Sequence, residues 1–215
     1  MRFRCTLRYG ALAAAFCICL HGQTATDLKG IPPRASAADY SSQSAAGKLT
    51  LAAEFKGHSM PDAQGMLTSE EYVAVEVGVF GTADARSTLN VADFSLRING
   101  KKPLPAAPFG LAAASVKDPE WEPPIPVEKG SKSKIGAGGG GGGQGNEAPP
   151  TPPKPTFAEQ RAWSQRVQKM TLPEGDRPLP QAGLIFFLYR GQTKSIQTVE
   201  LMYEGSAGKA VLKLQ

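Results

Sequence analysis

Residues 72–80 read Tyr72-Val-Ala-Val-Glu-Val-Gly-Val-Phe80, and valine occupies every second position from 73 to 79. An extended chain points successive side chains to opposite faces, so these four valines share one face. β-Branched residues favour strands because they pack well on a half-buried pleated surface. The stretch therefore predicts a β-strand with one buried apolar face.

The strand pattern recurs on both sides of this stretch. Asn99-Gly100 follows one such segment and is the dipeptide that two-residue hairpin turns favour. The region around Leu111 fits a short helix or an edge strand. Six strands separated by turn signals predict an all-β fold, an antiparallel β-sandwich. The five further strands are predicted at Lys48–Phe55, Asp93–Ile98, Leu184–Tyr189, Ile196–Tyr203 and Ala210–Leu214.

One short amphipathic helix is predicted within residues 156–171. Thr156 and Glu159 have the spacing of a capping box, in which hydroxyl and carboxylate each satisfy a backbone N–H. Trp163, Val167 and Met170 follow at positions i, i+4 and i+7, which lie on one helical face.

A Gly/Pro-rich insertion separates the two groups of strands. Residues 118–155 contain six consecutive glycines, Gly138 to Gly143, and a proline-rich exit that ends at Pro155. Such composition buries too little apolar surface to order itself, so we predict a disordered linker. The sandwich then has a first half at 48–117 and a second half at 172–215, with both halves expected to share one core. Residues 26–47 are predicted to be a flexible leader.

The N-terminus has the form of a secretory signal peptide, predicted over residues 1–25. Three arginines precede an apolar run from Ala11 to Leu20, which is too short to span a bilayer. All three cysteines lie inside the signal, and no second long apolar segment follows. We therefore expect a periplasmic or secreted protein without a transmembrane segment in its mature chain.

Charge argues against nucleic acid as a partner. The chain has 24 basic and 19 acidic residues, and removal of the three signal arginines leaves a balance of only +2.

The strands resemble a known family. The matching pattern is a "D-F-x-L" strand with a Gly-Lys turn, then an "L-P-x-G" loop that leads into a Gly-initiated aromatic strand. These features resemble an Ig-like sandwich domain of unknown function found in bacterial surface lipoproteins and secreted proteins. The resemblance covers roughly 48–104 and 172–215, about half of the chain, and implies an Ig-like β-sandwich without shared catalytic residues. The whole chain also resembles exported bacterial proteins without a characterised activity. The segments that carry the family pattern are Val73–Phe80, Asp93–Lys101, Leu172–Gly175, Gly183–Phe187 and Val199–Tyr203.

Residues suited to catalysis or metal binding are few. Beyond the signal the chain has no cysteine and one histidine, His58, which excludes thiolate and multi-histidine metal sites, so we expect no metal and no cofactor. A hydrolase would have to use His58 beside Ser59 and Asp62, and a solvated loop histidine is the simpler interpretation. Carboxylate pairs at Glu70–Glu71 and Glu120–Glu122 are interpreted as charges that keep strand ends soluble.

Trp121 is the candidate for partner binding. It lies in a proline-rich stretch, and exposed tryptophans anchor protein partners or stack on sugars. We therefore expect a non-enzymatic binding or scaffold module of the cell envelope that contacts an envelope or extracellular protein. A glycan- or cell-wall-binding module is the alternative, and a hydrolase that uses carboxylates is a third hypothesis.

Overall fold

The computed structural model describes residues 30–122 and 154–215. The helices in these ranges are α1 (Phe109–Ser115) and α2 (Phe157–Met170). The strands up to the gap are β1 (Ser42–Ala46), β2 (Leu49–Gly57), β3 (Ser59–Asp62), β4 (Gly65–Ser69), β5 (Tyr72–Phe80), β6 (Arg86–Leu89), β7 (Phe94–Ile98), β8 (Leu104–Ala107) and β9 (Val116–Lys117). The strands after it are β10 (Gly175–Pro178), β11 (Gln181–Leu188), β12 (Val199–Gly205) and β13 (Gly208–Lys213).

Eight strands form one antiparallel sheet in the order β1-β2-β5-β11-β8-β7-β12-β13. The sheet curls until β13 lies close to β1, so its shape is nearly that of a barrel. The all-β, antiparallel class is thus confirmed. The Ig-like sandwich remains a prediction. Among the described residues, no helix has the length and apolar character needed to cross a membrane.

The main core fills the concave side of this sheet. All four valines of β5 are fully buried there, as their alternation requires. β5 pairs with β2 on one side and with β11 on the other, so strands from both sides of the insertion contribute to one core. At the turn after β7, Asn99 and Gly100 both adopt positive φ and the Lys101 N–H donates to the Ile98 carbonyl. The predicted Asn-Gly turn is therefore present, but the chain pairs as β8 only from Leu104, opposite Leu96, so the connection is longer than a two-residue hairpin.

A second layer covers the convex side of β5 and β11. It comprises α1, α2 and a three-stranded sheet of order β3-β4-β9, and it encloses a second apolar core. Phe186 and Phe187 are adjacent on β11, yet Phe186 enters the second core and Phe187 the main one. Because both faces of β11 are buried, one in each core, apolar residues are needed at successive positions of this strand.

Three regions differ from the sequence interpretation or complete it. Ser42–Ala46 was expected to belong to a flexible leader but forms β1. This strand pairs with β2 through backbone hydrogen bonds, and its sequence carries no alternation of apolar residues that would have indicated a strand. Residues 58–69, for which no strand was predicted, contain the hairpin of β3 and β4. Around Leu111 the chain is helical, as α1. The predicted signal peptide and residues 123–153 of the predicted linker lie outside the described residues.

The segment from Gly30 to Tyr40 is held on the outside of the sheet by charge. The Arg34 guanidinium donates to Glu76, which is buried on β5, and to Glu54 on β2. Its Cζ also lies 4.3 Å above the centroid of the Tyr40 ring. Lys56 contributes a second cation to the same two carboxylates.

Candidate functional site

A groove of about 750 Å³ lies between the two helices of the second layer. Ala113, Val116 and the buried Trp163 form apolar parts of its lining, and Phe157 lines it from the first turn of α2. The Phe157 side chain is 80% exposed, the highest value among the large apolar residues that the structure describes. A large apolar side chain left in solvent beside a partly apolar groove suits interaction with another molecule.

The local sequence of α2 explains why Phe157 is displayed there. Thr156 and Glu159 form the expected capping box, which starts the helix one residue before Phe157. Trp163, Val167 and Met170 are buried against the sheet, so the predicted apolar face is confirmed. Phe157 does not belong to that i, i+4, i+7 series and is left in solvent.

α1 also carries exposed apolar side chains, which are not part of the groove lining. Phe109 is 37% exposed and Leu111 is 57% exposed. The inner side of the same helix is buried through Ala112 and Ala113. Small residues on that inner side let α1 pack closely against α2, and the larger residues are directed outward.

Trp121, the residue predicted to bind a partner, lies next to the groove and is not part of its lining. It is half-buried, and its indole N–H donates to Glu159 Oε1 over 2.7 Å. Its ring meets that of Trp163 edge-on, with centroids 6.4 Å apart. This indole hydrogen bond, together with those from Thr156, lowers the pKa of Glu159. Trp121 therefore supports the first turn of α2, and its role in partner binding remains a prediction.

The charges at the groove are distributed unevenly. Glu70 pairs with Lys117 over 2.8 Å and Glu71 pairs with Arg190 over 3.0 Å. The Lys117 ammonium holds the pKa of Glu70 below its usual value. Arg161, an exposed groove residue on α2, takes part in none of the ion pairs among the described residues. The two acidic groups are thus compensated, and Arg161 gives the α2 side a positive charge.

A partly buried ion cluster fixes α2 to its surroundings. The Arg166 guanidinium donates two hydrogen bonds to Asp62, at 2.7 and 2.9 Å, and one to Asp118 at 3.1 Å. Burial raises the pKa of Asp62, but the bonds from Arg166 and from the Gln64 and Gly65 amides outweigh it, so the net shift is downward. The bond to Asp62 likewise raises the pKa of Arg166. The cluster links the β3–β4 hairpin, α2 and the segment that leads to Trp121.

The residues considered for a hydrolase do not assemble. Both ring nitrogens of His58 face backbone carbonyls, those of Tyr72 and Gly191, and Asp62 is bound to Arg166. Glu54 and Glu76 are opposite each other on β2 and β5, and each carboxylate is bound by both Arg34 and Lys56. Within residues 30–122 and 154–215, no group of three His, Cys, Asp or Glu side chains is placed to hold a metal ion.

Sequence reasoning identified the buried face of α2 but missed the groove and the Arg166 cluster. The capping box was the one signal that located Phe157, because it fixes where the helix begins. Nothing in the sequence places α1 beside α2, which are separated by more than forty residues. Glu70 and Glu71, read as charges at a strand end, lie at the groove.

The chain was also compared with known proteins. No protein-family model, no curated protein and no solved structure matches it.

Proposed function

We propose that the protein is an exported, non-enzymatic binding module that holds an apolar segment of a partner protein in the groove between α1 and α2. The observation that carries this proposal is the 80% exposed Phe157 beside a groove lined by Trp163, Ala113 and Val116. Interfaces place aromatic residues where a partner can bury them. Export rests on the signal-peptide pattern at 1–25, and an Ig-like sandwich rests on the resemblance of the strands.

The groove favours an extended peptide as its occupant. Its volume of about 750 Å³ suits a few side chains, since ligand pockets span about 300–1,000 Å³. It lies beside β9, one of the two edge strands of the three-stranded sheet. The positive Arg161 complements a carboxylate. The expected ligand is therefore a short apolar segment flanked by Asp or Glu.

A library of random twelve-residue peptides displayed on phage tests this proposal directly. We expect enriched peptides to combine aromatic or aliphatic residues with an acidic one. Phe157→Ala should weaken their binding about tenfold or more, as for a central aromatic at an interface, without changing thermal stability. Val211→Ala is the matched control, because Val211 is 54% exposed on β13, outside the groove.

Charge reversal tests the second element of the proposal. Arg161→Glu should shift selection from acidic to basic peptides, because complementary charge sets partner preference. Enrichment that survives Phe157→Ala unchanged, or no enrichment above background, would contradict binding at the groove.

Glycan binding depends on Trp121 and is the second candidate. Trp121 is partly exposed, although its N–H donates to Glu159 and its ring meets that of Trp163 edge-on. Retention on purified cell-wall polymer that is lost in Trp121→Ala would favour it over the peptide.

A further inference from the structure

We propose that His58 is a protonation-dependent clasp that ties the segment after β11 to the start of β5. His58 lies at the junction of β2 and β3 and is partly buried. Its Nδ1 is 3.0 Å from the Tyr72 carbonyl oxygen, and its Nε2 is 2.8 Å from the Gly191 carbonyl oxygen. One ring therefore bridges two chain segments that are far apart in sequence.

The clasp is complete only when the ring is protonated. A carbonyl oxygen accepts hydrogen bonds and cannot donate them. A neutral imidazole has one N–H donor and one acceptor nitrogen, whereas the imidazolium has two donors. Only the imidazolium can donate to both Tyr72 and Gly191. In the neutral ring, one nitrogen lone pair would face a carbonyl oxygen across about 3 Å, which is repulsive.

Further contacts show that the ring is held in this position. The rings of His58 and Tyr189 are stacked with centroids 6.2 Å apart. The Tyr189 N–H donates to the Glu71 carbonyl, and the Glu71 carboxylate pairs with Arg190. Glu71 also lines the groove, so the Glu71–Arg190 pair links the segment after β11 to a groove residue. The clasp itself does not depend on the proposed peptide binding.

The hydrogen-bond partners of the His58 ring are the two backbone carbonyls and not charged side chains. Within the described part of the chain, no carboxylate is hydrogen-bonded to His58, and Lys56 and Glu71 are engaged in ion pairs of their own. The closed clasp is accordingly favoured at acidic pH, and one of its two contacts is lost as pH rises and the ring gives up its proton. The titratable and charged groups on the elements packed against the ring are Glu54 and Lys56 on β2, Glu70 and Glu71 before β5, Tyr72 and Glu76 on β5, and Tyr189, Arg190 and Lys194 after β11.

Hydrogen exchange followed by NMR on the full chain tests the clasp. At about pH 5.5, where a histidine is largely charged, both ring N–H protons of His58 should be slowly exchanging. The protection factors of the Tyr189, Ser195 and Ile196 amides, which bond within this region, should fall about five- to tenfold at about pH 8, the worth of one net hydrogen bond. The protection factors of the β13 amides should be the same at both pH values, so these amides serve as the internal reference.

His58→Gln is the matched variant, because glutamine is uncharged at both pH values and its amide can donate to one of the two carbonyls. In this variant, the protection factors of the Tyr189, Ser195 and Ile196 amides should not differ between the two pH values. The clasp is overturned if wild-type protection there is independent of pH, or if the pH dependence persists in His58→Gln. If that variant fails to fold, the wild-type ring N–H protons still decide, since rapid exchange of either one at acidic pH refutes the clasp.

Discussion

Arg166→Met is the perturbation whose outcome the structure constrains best. Methionine keeps an apolar stem of similar reach and removes the guanidinium, so Asp62 and Asp118 lose their common cation. The Arg166 and Asp62 side chains are each only 12% exposed, and Asp118 is 21% exposed. Two carboxylates are then left in a site that water reaches poorly.

The expected cost follows from that burial. Removing one partner of a fully buried ion pair costs about 3–5 kcal/mol, mostly because the remaining charge is uncompensated. Partial access of water to this cluster lowers the expectation to about 2–3 kcal/mol of unfolding free energy. Arg86→Met is the matched control. It breaks the Arg86–Asp176 pair, whose side chains are 55% and 60% exposed, and such surface pairs contribute less than about 1 kcal/mol.

Urea denaturation at neutral pH measures both changes, provided that the dependence on denaturant is unchanged. Adding Asp62→Asn to Arg166→Met should restore part of the lost stability, because it removes one of the uncompensated charges. Equal costs for Arg166→Met and Arg86→Met would refute the reasoning, since burial is the difference between the two sites.

Two further predictions concern packing and pH. Gly183→Ala should destabilise the protein by about 1–3 kcal/mol in thermal denaturation, because a Cβ there would overlap backbone atoms of Leu172. Gly110→Ala on α1 is the control: a Cβ there meets no atom within 4 Å, so this change should be neutral or stabilise by up to about 1 kcal/mol. The folded-state pKa of Asp62 is below its usual 3.8, so its contribution is present above that pH and is lost as pH falls toward the folded-state pKa. Asp62→Asn should therefore flatten the acid limb of the stability profile, and an unchanged limb would contradict this assignment.

The strands could be predicted because their signals are local. Alternation in β5 and in the strand before Asn99 is set by the two-residue repeat of the extended backbone, and both appear in the structure. The capping box and the apolar face of α2 follow equally from short spacings. β1 could not be found in this way, because its residues pair through backbone groups that every sequence carries.

The candidate site was predictable only in its parts. Trp121 was identified as an aromatic residue in a proline-rich stretch, but its indole bonds to Glu159 beside the groove. Arg166 carried no signal at all, since its two carboxylate partners are 104 and 48 residues away in sequence.

Local sequence patterns were enough to predict the antiparallel β class, the position of the principal strands and the buried face of α2. These features depend on periodicities of two and 3.6 residues, which the backbone imposes within a single element. Three features follow from long-range packing and could not be predicted: the sheet curls nearly into a barrel, a helical layer covers β11, and α1 and α2 enclose the groove at Phe157. Those outcomes depend on which distant apolar faces bury one another, and many pairings satisfy the same local pattern.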